Sequence, residues 1–248
     1  MLNQKELKRY DRQIMIFGKK AQEKLKKAKV AIVGLGGLGS PIGIYLTAAG
    51  VGYLLLIDEQ KPELSNLNRQ ILHGEEDLNK KAKSVSAKEK LKQLNSQTKI
   101  KTWAKRISRK NIEDLLDEVD IAVDALDNFE TRYLLNEFCV NHRKPFIHAA
   151  VEGFYGQITT IVPGRTACLN CIFPNPPPKI KFPIIGVTAG LFGVLEANEV
   201  IKLITGYGDT LMGKLFTYDL RDNEAECIDV KPNPSCPVCS EIFRLRRQ

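Results

Sequence analysis

The chain has 248 residues, of which 43% are hydrophobic and 27% are charged. These proportions describe an ordinary soluble globule, long enough for one large α/β domain or two small ones. With 37 basic and 29 acidic residues the net charge is +8, which suits an acidic or polyphosphate partner but does not require nucleic acid. The charged N-terminal segment lacks the apolar stretch of a secretory signal, so we expect a cytoplasmic protein.

The first predicted element is a Lys-rich helical segment over Leu2–Lys27, interrupted near Phe17-Gly18. It is followed by two apolar segments, Val30–Val33 and Gly52–Ile57, that are predicted to be buried strands. Between them Ser40–Ala49 has helical character, so the order of elements is strand, helix, strand.

A glycine turn over residues 34–39, Gly-Leu-Gly-Gly-Leu-Gly, joins the first strand to this helix, and the second strand ends on Asp58. Strand, Gly-x-Gly-x-x-Gly, helix, strand and acid is the order of a nucleotide-binding βαβ unit. The helix N-terminus can bind phosphate, and Asp58 can accept the ribose hydroxyls. A membrane span is the alternative, because Val30–Ile57 carries no charge, but its seven glycines and β-branched ends favour strands.

Polar and basic segments come next. Pro62–Gln70 is predicted to be a polar loop or short helix just beyond the carboxyl end of a strand, where open α/β sheets place ligand groups. Lys80–Leu94 is predicted to be an amphipathic helix whose lysines mostly form a solvated face, although one at its start could reach a phosphate. A strand over Lys99–Trp103 and a short helix near Asn111–Leu116 follow.

Val119–Leu126 is the next predicted buried strand, and it ends in Asp127-Asn128 before a helix over Glu130–Asn141. An acid at the end of a central parallel strand is well placed to hold Mg²⁺ or to orient a phosphate. The alternative is an N-cap for the following helix, and the residues alone do not decide between the two.

The remaining segments predict an antiparallel extension of the sheet and one long apolar helix. These are strands over Pro145–Val151 and Phe154–Val162, a helix over about Val187–Thr205, and a closing hairpin of Gly213–Leu220 and Glu224–Val230.

Four of the six cysteines form two C-x-x-C pairs, Cys168/Cys171 and Cys236/Cys239. Paired knuckles of this spacing typically build a closed four-thiolate zinc site, which would be structural and would not perform chemistry. Two redox dithiols or free thiols are the alternatives, although a thioredoxin-like context is absent. Cys139 and Cys227 are expected to be buried without a functional role.

Several motifs occur in the order that is typical of one family. They are RYDRQIMIFG, VGLGGLGSP, LLLID, SNLNRQILH, VDALDNFETR, GQITTIVPG, CLNC and CPVC. The chain therefore resembles the ThiF/MoeB/HesA adenylyltransferases that activate ubiquitin-like sulfur carriers, relatives of ubiquitin-activating enzymes. The resemblance implies a Rossmann-like, doubly wound, mostly parallel sheet with an antiparallel extension and a structural zinc knuckle.

The resemblance also assigns roles to individual residues. The nucleotide-binding positions are Gly34, Gly36, Gly37, Gly39, Asp58, Asn66, Arg69, Lys83, Asp127 and Asn128. Arg69 and Lys83 would contact phosphate, with Lys80 or Lys81 as substitutes for Lys83, and Asp127 would associate with Mg²⁺. Arg12 matches an arginine that the family inserts into the neighbouring subunit of a homodimer, and Arg132 would face the incoming tail. The four paired cysteines match the structural Zn²⁺ ligands.

The implied reaction is ATP-dependent adenylation of the C-terminal Gly-Gly carboxylate of a sulfur-carrier protein, as in thiamine or molybdopterin biosynthesis. A separate sulfur donor would then attack the acyl-adenylate. An NAD(P)-dependent oxidoreductase and a non-catalytic scaffold for a ubiquitin-fold protein are the alternatives. The first leaves Arg12, Arg69 and the zinc knuckles unexplained, and the second leaves an intact set of phosphate ligands unexplained.

The resemblance predicts a single domain with an N-terminal helical arm over 1–28, a nucleotide-binding half over 29–151 and a carrier-binding half over 152–248. The crossover loop, about residues 172–187, departs from many relatives because it has no cysteine after the proline run. We therefore expect adenylation without a thioester or persulfide at that loop.

Overall fold

The structure is a computed structural model, and it describes residues 1–175 and 182–245. The helices in these ranges are α1 (Gln4–Arg9), α2 (Asp11–Lys27), α3 (Gly39–Ala49), α4 (Lys83–Leu94), α5 (Ile112–Leu116), α6 (Phe129–Asn141), α7 (Leu169–Ile172), α8 (Gly186–Thr205) and α9 (Ser240–Leu245). The strands are β1 (Lys29–Val33), β2 (Tyr53–Ile57), β3 (Lys99–Trp103), β4 (Ile121–Asp124), β5 (Phe146–Glu152), β6 (Tyr155–Ile161), β7 (Lys214–Asp219) and β8 (Glu224–Asp229).

All eight of these strands form one sheet in the order β3-β2-β1-β4-β5-β6-β7-β8. The strands from β3 to β5 are parallel, and the strands from β5 to β8 pair antiparallel. The predicted fold class, a mostly parallel Rossmann-like sheet with an antiparallel extension, is confirmed.

Both faces of the parallel strands are covered, because alternate side chains enter two separate cores. Ile32 and Val123 face one core, to which α3, α4 and α8 contribute Ile42, Leu91 and Phe192. On the other face, the second core gathers side chains of α5 and α6 together with the cysteine knuckles. The inner strands β1, β2 and β4 are therefore mostly apolar, as a parallel sheet that is buried on both sides requires, whereas the edge strand β3 carries exposed lysines.

The strand order reverses at β1, which lies between β2 and β4. Val33 pairs with Ile57 on one side and with Asp124 on the other, so the chain leaves all three strands at the same level of the sheet. A doubly wound sheet opens a crevice at such a switch point, outside the carboxyl ends of its strands. The glycine turn, Asp58 and Asp127 all follow these strand ends.

The membrane alternative for Val30–Ile57 is wrong, since this segment forms β1, the glycine turn, α3 and β2. Within the described ranges, no helix is both long enough and apolar enough to cross a bilayer. The interruption near Gly18 is confirmed, because Gly18 has φ +80° and kinks α2. The crossover loop that was predicted without a cysteine lies outside the described residues over positions 176–181.

Cys139 is buried in α6, as expected, whereas the prediction that Cys227 is buried is wrong. Cys227 lies on β8, which pairs with β7 at the edge of the sheet and has all six residues exposed. Alternating residues in a strand do not reveal whether helices cover either face, so the sequence could not distinguish an inner strand from this exposed edge.

Helix α8 carries two buried glutamates in contrasting surroundings. Glu199 accepts hydrogen bonds from the Leu211 N–H at 2.7 Å and from the Thr160 hydroxyl. For Glu196, neither carboxyl oxygen has a hydrogen-bond partner among residues 1–175 and 182–245. Burial accordingly raises the pKa of Glu196 well above its usual value, and the nearby Asp124 carboxylate adds to this rise. The neutral form of Glu196 is therefore favoured in the folded protein, and burying a carboxyl group without partners costs stability.

Replacing Glu196 by leucine is expected to stabilise the protein by about 1–3 kcal/mol, because it removes buried polar atoms without partners. The gain should grow as pH rises above the unfolded-state pKa of the acid. Unfolded Glu196 ionises there, whereas the folded state keeps its proton and loses stability relative to the leucine variant. Denaturant unfolding at pH 5 and pH 8 measures both effects.

Glu199→Leu is the matched control on the same helix. It should be destabilising at both pH values, because it leaves the Leu211 N–H without its acceptor. A loss of stability in Glu196→Leu would show that the Glu196 carboxyl group has a favourable partner in the folded protein.

Candidate active site

The glycine turn is held tightly against the end of β4. Gly34 has φ +100°, and a Cβ there would lie 2.4 Å from the Ala125 carbonyl oxygen. A Cβ at Gly39 would lie 2.0 Å from the Gly34 carbonyl oxygen, so a side chain at either position would open the turn. Helix α3 begins at Gly39, and no side chain caps its N-terminus. The Ser40 N–H donates to the Gly36 carbonyl oxygen at 3.0 Å, and Pro41 has no N–H. In the first turn of α3, the Gly39 N–H is therefore the donor that has no backbone acceptor among residues 1–175 and 182–245 and could bind an anion.

Leu35, inside this turn, is held from two sides. Its N–H donates to Oδ2 of Asp58 at 2.8 Å, and Nε2 of His73 lies 2.9 Å from its carbonyl oxygen. A carbonyl can only accept, so Nε2 carries the proton. Burial lowers the pKa of His73 and favours the neutral ring. His73 lies in the SNLNRQILH motif, but the sequence predicted no role for it because a motif does not reveal which group a histidine will contact.

Asp58 is located where the sequence analysis predicted it, at the end of β2. Its Oδ1 accepts the Gln60 N–H at 2.9 Å, so each carboxylate oxygen holds one backbone donor. Burial raises the pKa of Asp58, whereas these donors and the charge of Lys83 oppose the rise. An ionised carboxylate has about four acceptor positions, which leaves capacity for the hydroxyls of a ligand.

Lys83 begins α4 and is almost fully buried, with Nζ donating to Oε1 of Gln60 at 2.9 Å. Burial lowers the pKa of Lys83, while the negative charges of Asp58 and Asp127 act to raise it. These couplings place the three predicted residues in one electrostatic group. Lys81 instead forms ion pairs with Asp77 and Glu89, and Lys80 is exposed, so Lys83 is the lysine directed to the site.

Asn66 and Arg69 lie in the loop after β2. Oδ1 of Asn66 accepts the Glu63 N–H at 3.1 Å, within a single turn of 3₁₀ helix. The guanidinium of Arg69 donates to the Ser65 carbonyl oxygen at 2.9 Å. Its Cγ lies 3.6 Å from where a Cβ of Gly37 would be. Arg69 is therefore located beside the glycine turn.

Asp127 and Asn128 follow β4, and Asn128 takes the N-cap role that the sequence left open for this segment. Asn128 is the N-cap of α6, because its Oδ1 accepts the Thr131 N–H at 2.9 Å. Asp127 remains exposed at the carboxyl edge of the sheet. An exposed carboxylate beside an amide fits a hydrated Mg²⁺, which typically takes one or two carboxylates from the protein.

The prediction that Arg132 faces an incoming tail does not fit its position. The guanidinium is buried, with Nε 3.2 Å from Oδ2 of Asp124 and Nη2 donating to the Ala149 carbonyl oxygen at 3.1 Å. The same Nη2 donates to the carbonyl oxygen of Leu126. Helix α6 begins only three residues earlier, and its first turn directs this side chain into the sheet.

Arg12 is exposed and lies away from the other predicted residues of its own chain. Its neighbour Gln13 donates to the carbonyl oxygen of Ala49, at the C-terminal end of α3. The glycine turn is at the other end of α3, and 11 residues of α-helix span about 16 Å.

The four paired cysteines form one cluster, with their Sγ atoms all within 4.8 Å of one another. Cys168 Sγ lies 3.6 Å from Cys236 Sγ, and Cys171 Sγ lies 3.3 Å from Cys239 Sγ. The edge of a zinc–sulfur tetrahedron is about 3.8 Å, so the arrangement fits a closed four-thiolate zinc site. Such an ion would join the segment after β6 to the C-terminal segment.

The sequence of the chain is similar to those of proteins in one known family. A sequence profile of the ThiF family matches residues 10–238. The chain belongs to the ThiF family. It is 40% identical to the HesA protein of Trichormus variabilis (heterocyst form), over 94% of this chain and 89% of that protein. It is also 37% identical to the sulfur carrier protein adenylyltransferase of Thermus thermophilus, over 95% of this chain and 92% of that protein.

Among solved structures, Escherichia coli MccB with ATP superposes with a TM-score of 0.84 and 28% identity, covering 93% of this chain and 74% of that chain. The family that the motifs predicted is confirmed, and the predicted adenylyltransferase class agrees with this membership. That structure contains ATP, which agrees with the predicted use of ATP.

Replacing Cys236 by serine is expected to abolish stoichiometric zinc and to lower the free energy of unfolding by several kcal/mol, because metal binding contributes directly to folding. Elemental analysis and thermal denaturation measure the two effects. Cys227→Ser, on the exposed edge strand, should change neither. Retention of zinc in Cys236→Ser would contradict the four-thiolate site.

Proposed function

We propose that the protein uses Mg²⁺ and ATP to adenylate the C-terminal Gly-Gly carboxylate of a ubiquitin-like sulfur-carrier protein. The observation that carries this proposal is the coupling of Asp58, Lys83 and Asp127 at the carboxyl edge of the sheet, beside the glycine turn. Membership of the ThiF family supports the same reaction class.

The chemistry follows from the charges at this site. A carboxylate is a poor electrophile but is already ionised, so it can attack the α-phosphate of ATP without a general base. Pyrophosphate leaves, and the acyl-adenylate formed is reactive towards a sulfur donor. Arg69 and Lys83 would offset the charge that develops on the phosphates. Bound at Asp127, Mg²⁺ would neutralise phosphate charge as a Lewis acid.

Gly36 gives independent support for a ligand against the turn. Its φ is not in the left-handed region, and a Cβ would meet the Gln70 side chain at 3.5 Å, an ordinary contact. The fold itself therefore does not require glycine at position 36, whereas it does require glycine at positions 34 and 39. Close approach of a nucleotide to the backbone explains the residue.

We place Arg12 in the active site of a second copy of the chain, so that the enzyme works as a homodimer. The distance of Arg12 from its own glycine turn supports this arrangement. Met15 and Ile16, one turn further along α2, are 78% and 59% exposed. Exposed apolar side chains beside an arginine that does not reach its own active site are typical of a surface that a second subunit covers.

Residues 1–28 then form the helical arm, 29–151 the nucleotide-binding half and 152–248 the carrier-binding half, with a crossover loop near 172–187. The two cysteines outside the zinc cluster are poor candidates for a covalent intermediate. Burial raises the pKa of the Cys139 thiol. Cys227 lies on β8, four strands from β4 and thus about 19 Å along the sheet. Sulfur would therefore come from a separate donor, in a pathway such as thiamine or molybdopterin biosynthesis.

Gly36→Ala should fold with unchanged stability but bind ATP about 10-fold more weakly, because the new methyl group occupies space that the nucleotide needs. Calorimetric titration with ATP and thermal denaturation measure the two effects. Gly39→Ala is the matched comparison, and it should lose stability because its Cβ meets the Gly34 carbonyl oxygen. Unchanged ATP affinity in Gly36→Ala would remove this support for a nucleotide at the turn.

Asp127→Ala is expected to lower ATP–pyrophosphate exchange by about 10²-fold or more while the protein remains folded, because it removes the proposed Mg²⁺ ligand. The assay uses a panel of small ubiquitin-fold proteins, each with and without its Gly-Gly tail. Exchange that depends on one intact tail supports the proposal and identifies the carrier.

Two other outcomes would contradict the proposal. Absence of exchange with tight NAD binding would indicate an oxidoreductase. Absence of both exchange and nucleotide binding would indicate a scaffold. Trapping of a thioester on Cys139 or Cys227 would overturn the statement that adenylation proceeds without an enzyme-bound intermediate.

A further inference from the structure

A buried ion pair holds the backbone that immediately precedes Asp127. The Leu126 N–H donates to Oδ1 of Asp124 at 3.0 Å, and the Leu126 carbonyl oxygen accepts from Nη2 of Arg132. Both peptide groups that flank Leu126 are therefore fixed by side chains. The second of them leads directly into Asp127.

Arg132 links this backbone to a neighbouring strand as well as to Asp124. Its Nε lies 3.2 Å from Oδ2 of Asp124, and its Nη2 also donates to the carbonyl oxygen of Ala149 on β5 at 3.1 Å. The planar guanidinium thus forms an ion pair with Asp124 on β4, while its Nη2 donates to carbonyl oxygens in the following loop and on β5. A lysine would keep the charge but not this fixed fork of donors.

His148 completes the surroundings of Asp124. Burial lowers the pKa of His148 and favours the neutral ring, although the Asp124 carboxylate opposes this shift, and the Nδ1–H donates to Oδ2 of Asp124 at 2.6 Å. The fully buried carboxylate is therefore oriented by His148 and Arg132 while it holds the Leu126 N–H. Well-packed apolar residues often replace a buried ion pair without loss of stability, so stability alone does not explain this arrangement.

Asp127, by contrast, is exposed, and its Oδ1 is 3.4 Å from Nδ2 of Asn128, which is too long for a strong hydrogen bond. Its location is therefore set by the backbone that carries it. We propose that Asp124 and Arg132 are positioning residues that hold the Leu126–Asp127 backbone where the Asp127 carboxylate can bind the Mg²⁺ of Mg·ATP. This inference rests on the proposed function, because it takes the role of Asp127 from it.

The test measures ATP affinity by calorimetry with and without Mg²⁺, and it needs no carrier protein. In the wild type, Mg²⁺ should tighten ATP binding. Arg132→Lys should reduce this Mg²⁺ enhancement by about 10-fold, which is typical for loss of a group that orients a metal ligand. It should leave ATP affinity without Mg²⁺ unchanged. In an Asp127→Ala background, Arg132→Lys should not reduce the Mg²⁺ enhancement any further, because Arg132 acts through the Asp127 carboxylate.

Hydrogen exchange provides a second measurement that does not depend on ligands. The Leu126 amide should exchange faster in Arg132→Lys, whereas Arg109→Lys should leave it unchanged. Arg109 is a suitable control because it forms an exposed ion pair with Glu137, on the same helix as Arg132, at 2.7 Å. If Arg132→Lys fails to fold, Asp124→Asn, which keeps the shape of the side chain, is measured in the same way.

Three results would overturn the inference. One is an unchanged Mg²⁺ enhancement in Arg132→Lys together with a raised KM for the carrier, which would return Arg132 to a role at the tail. Another is a smaller Mg²⁺ enhancement in the variant that combines Asp127→Ala with Arg132→Lys than in Asp127→Ala alone. The third is an Asp127→Ala variant with normal Mg²⁺ enhancement. Failure of the proposed function is distinct from all three, since it appears as absent pyrophosphate exchange in the wild type.

Discussion

The close approach of the glycine turn to the end of β4 is the constraint on which the rest of the site depends. A Cβ at Gly34 would clash with the Ala125 carbonyl oxygen, and a Cβ at Gly39 would clash with the Gly34 carbonyl oxygen. Only glycines at these positions therefore let the turn after β1 pack against the end of β4. The start of α3 and Asp127 are then held just beyond the carboxyl ends of the neighbouring strands β1 and β4. Asp58 and His73 secure the turn from the opposite side through Leu35. A site for a polyphosphate thus depends on contacts that the backbone makes with itself.

Three buried acids show how differently one fold treats a carboxylate. Asp124 accepts hydrogen bonds from His148 and the Leu126 N–H and forms an ion pair with Arg132, and Glu199 accepts from the Thr160 hydroxyl and the Leu211 N–H. Glu196 has none among residues 1–175 and 182–245. The first two carboxylates organise loops, whereas Glu196 is buried near Asp124 and Arg132 with a raised pKa that favours its uncharged form.

The sequence was sufficient for features that depend on local pattern. The β-branched runs, the glycine spacing and the paired cysteines predicted the strands, the turn and the metal cluster. The sequence did not predict contacts between side chains that are distant along the chain. The family resemblance assigned Arg132 to the incoming tail, and only the structure shows that its guanidinium is buried beside Asp124. The exposure of Cys227 and the role of His73 likewise depend on which elements lie opposite them.

The cysteine cluster joins a segment that follows β6 to one that follows β8. The chain between Cys171 and Cys236 contains α8 and the β7–β8 hairpin, so these elements form a closed ring when a metal connects the two ends. On the chain-entropy account, a crosslink over a loop of this length lowers the entropy of the unfolded chain by the equivalent of about 4 kcal/mol. Loss of the metal would reopen that ring and leave the glycine turn in place, so the two halves of the protein should differ in their dependence on zinc supply.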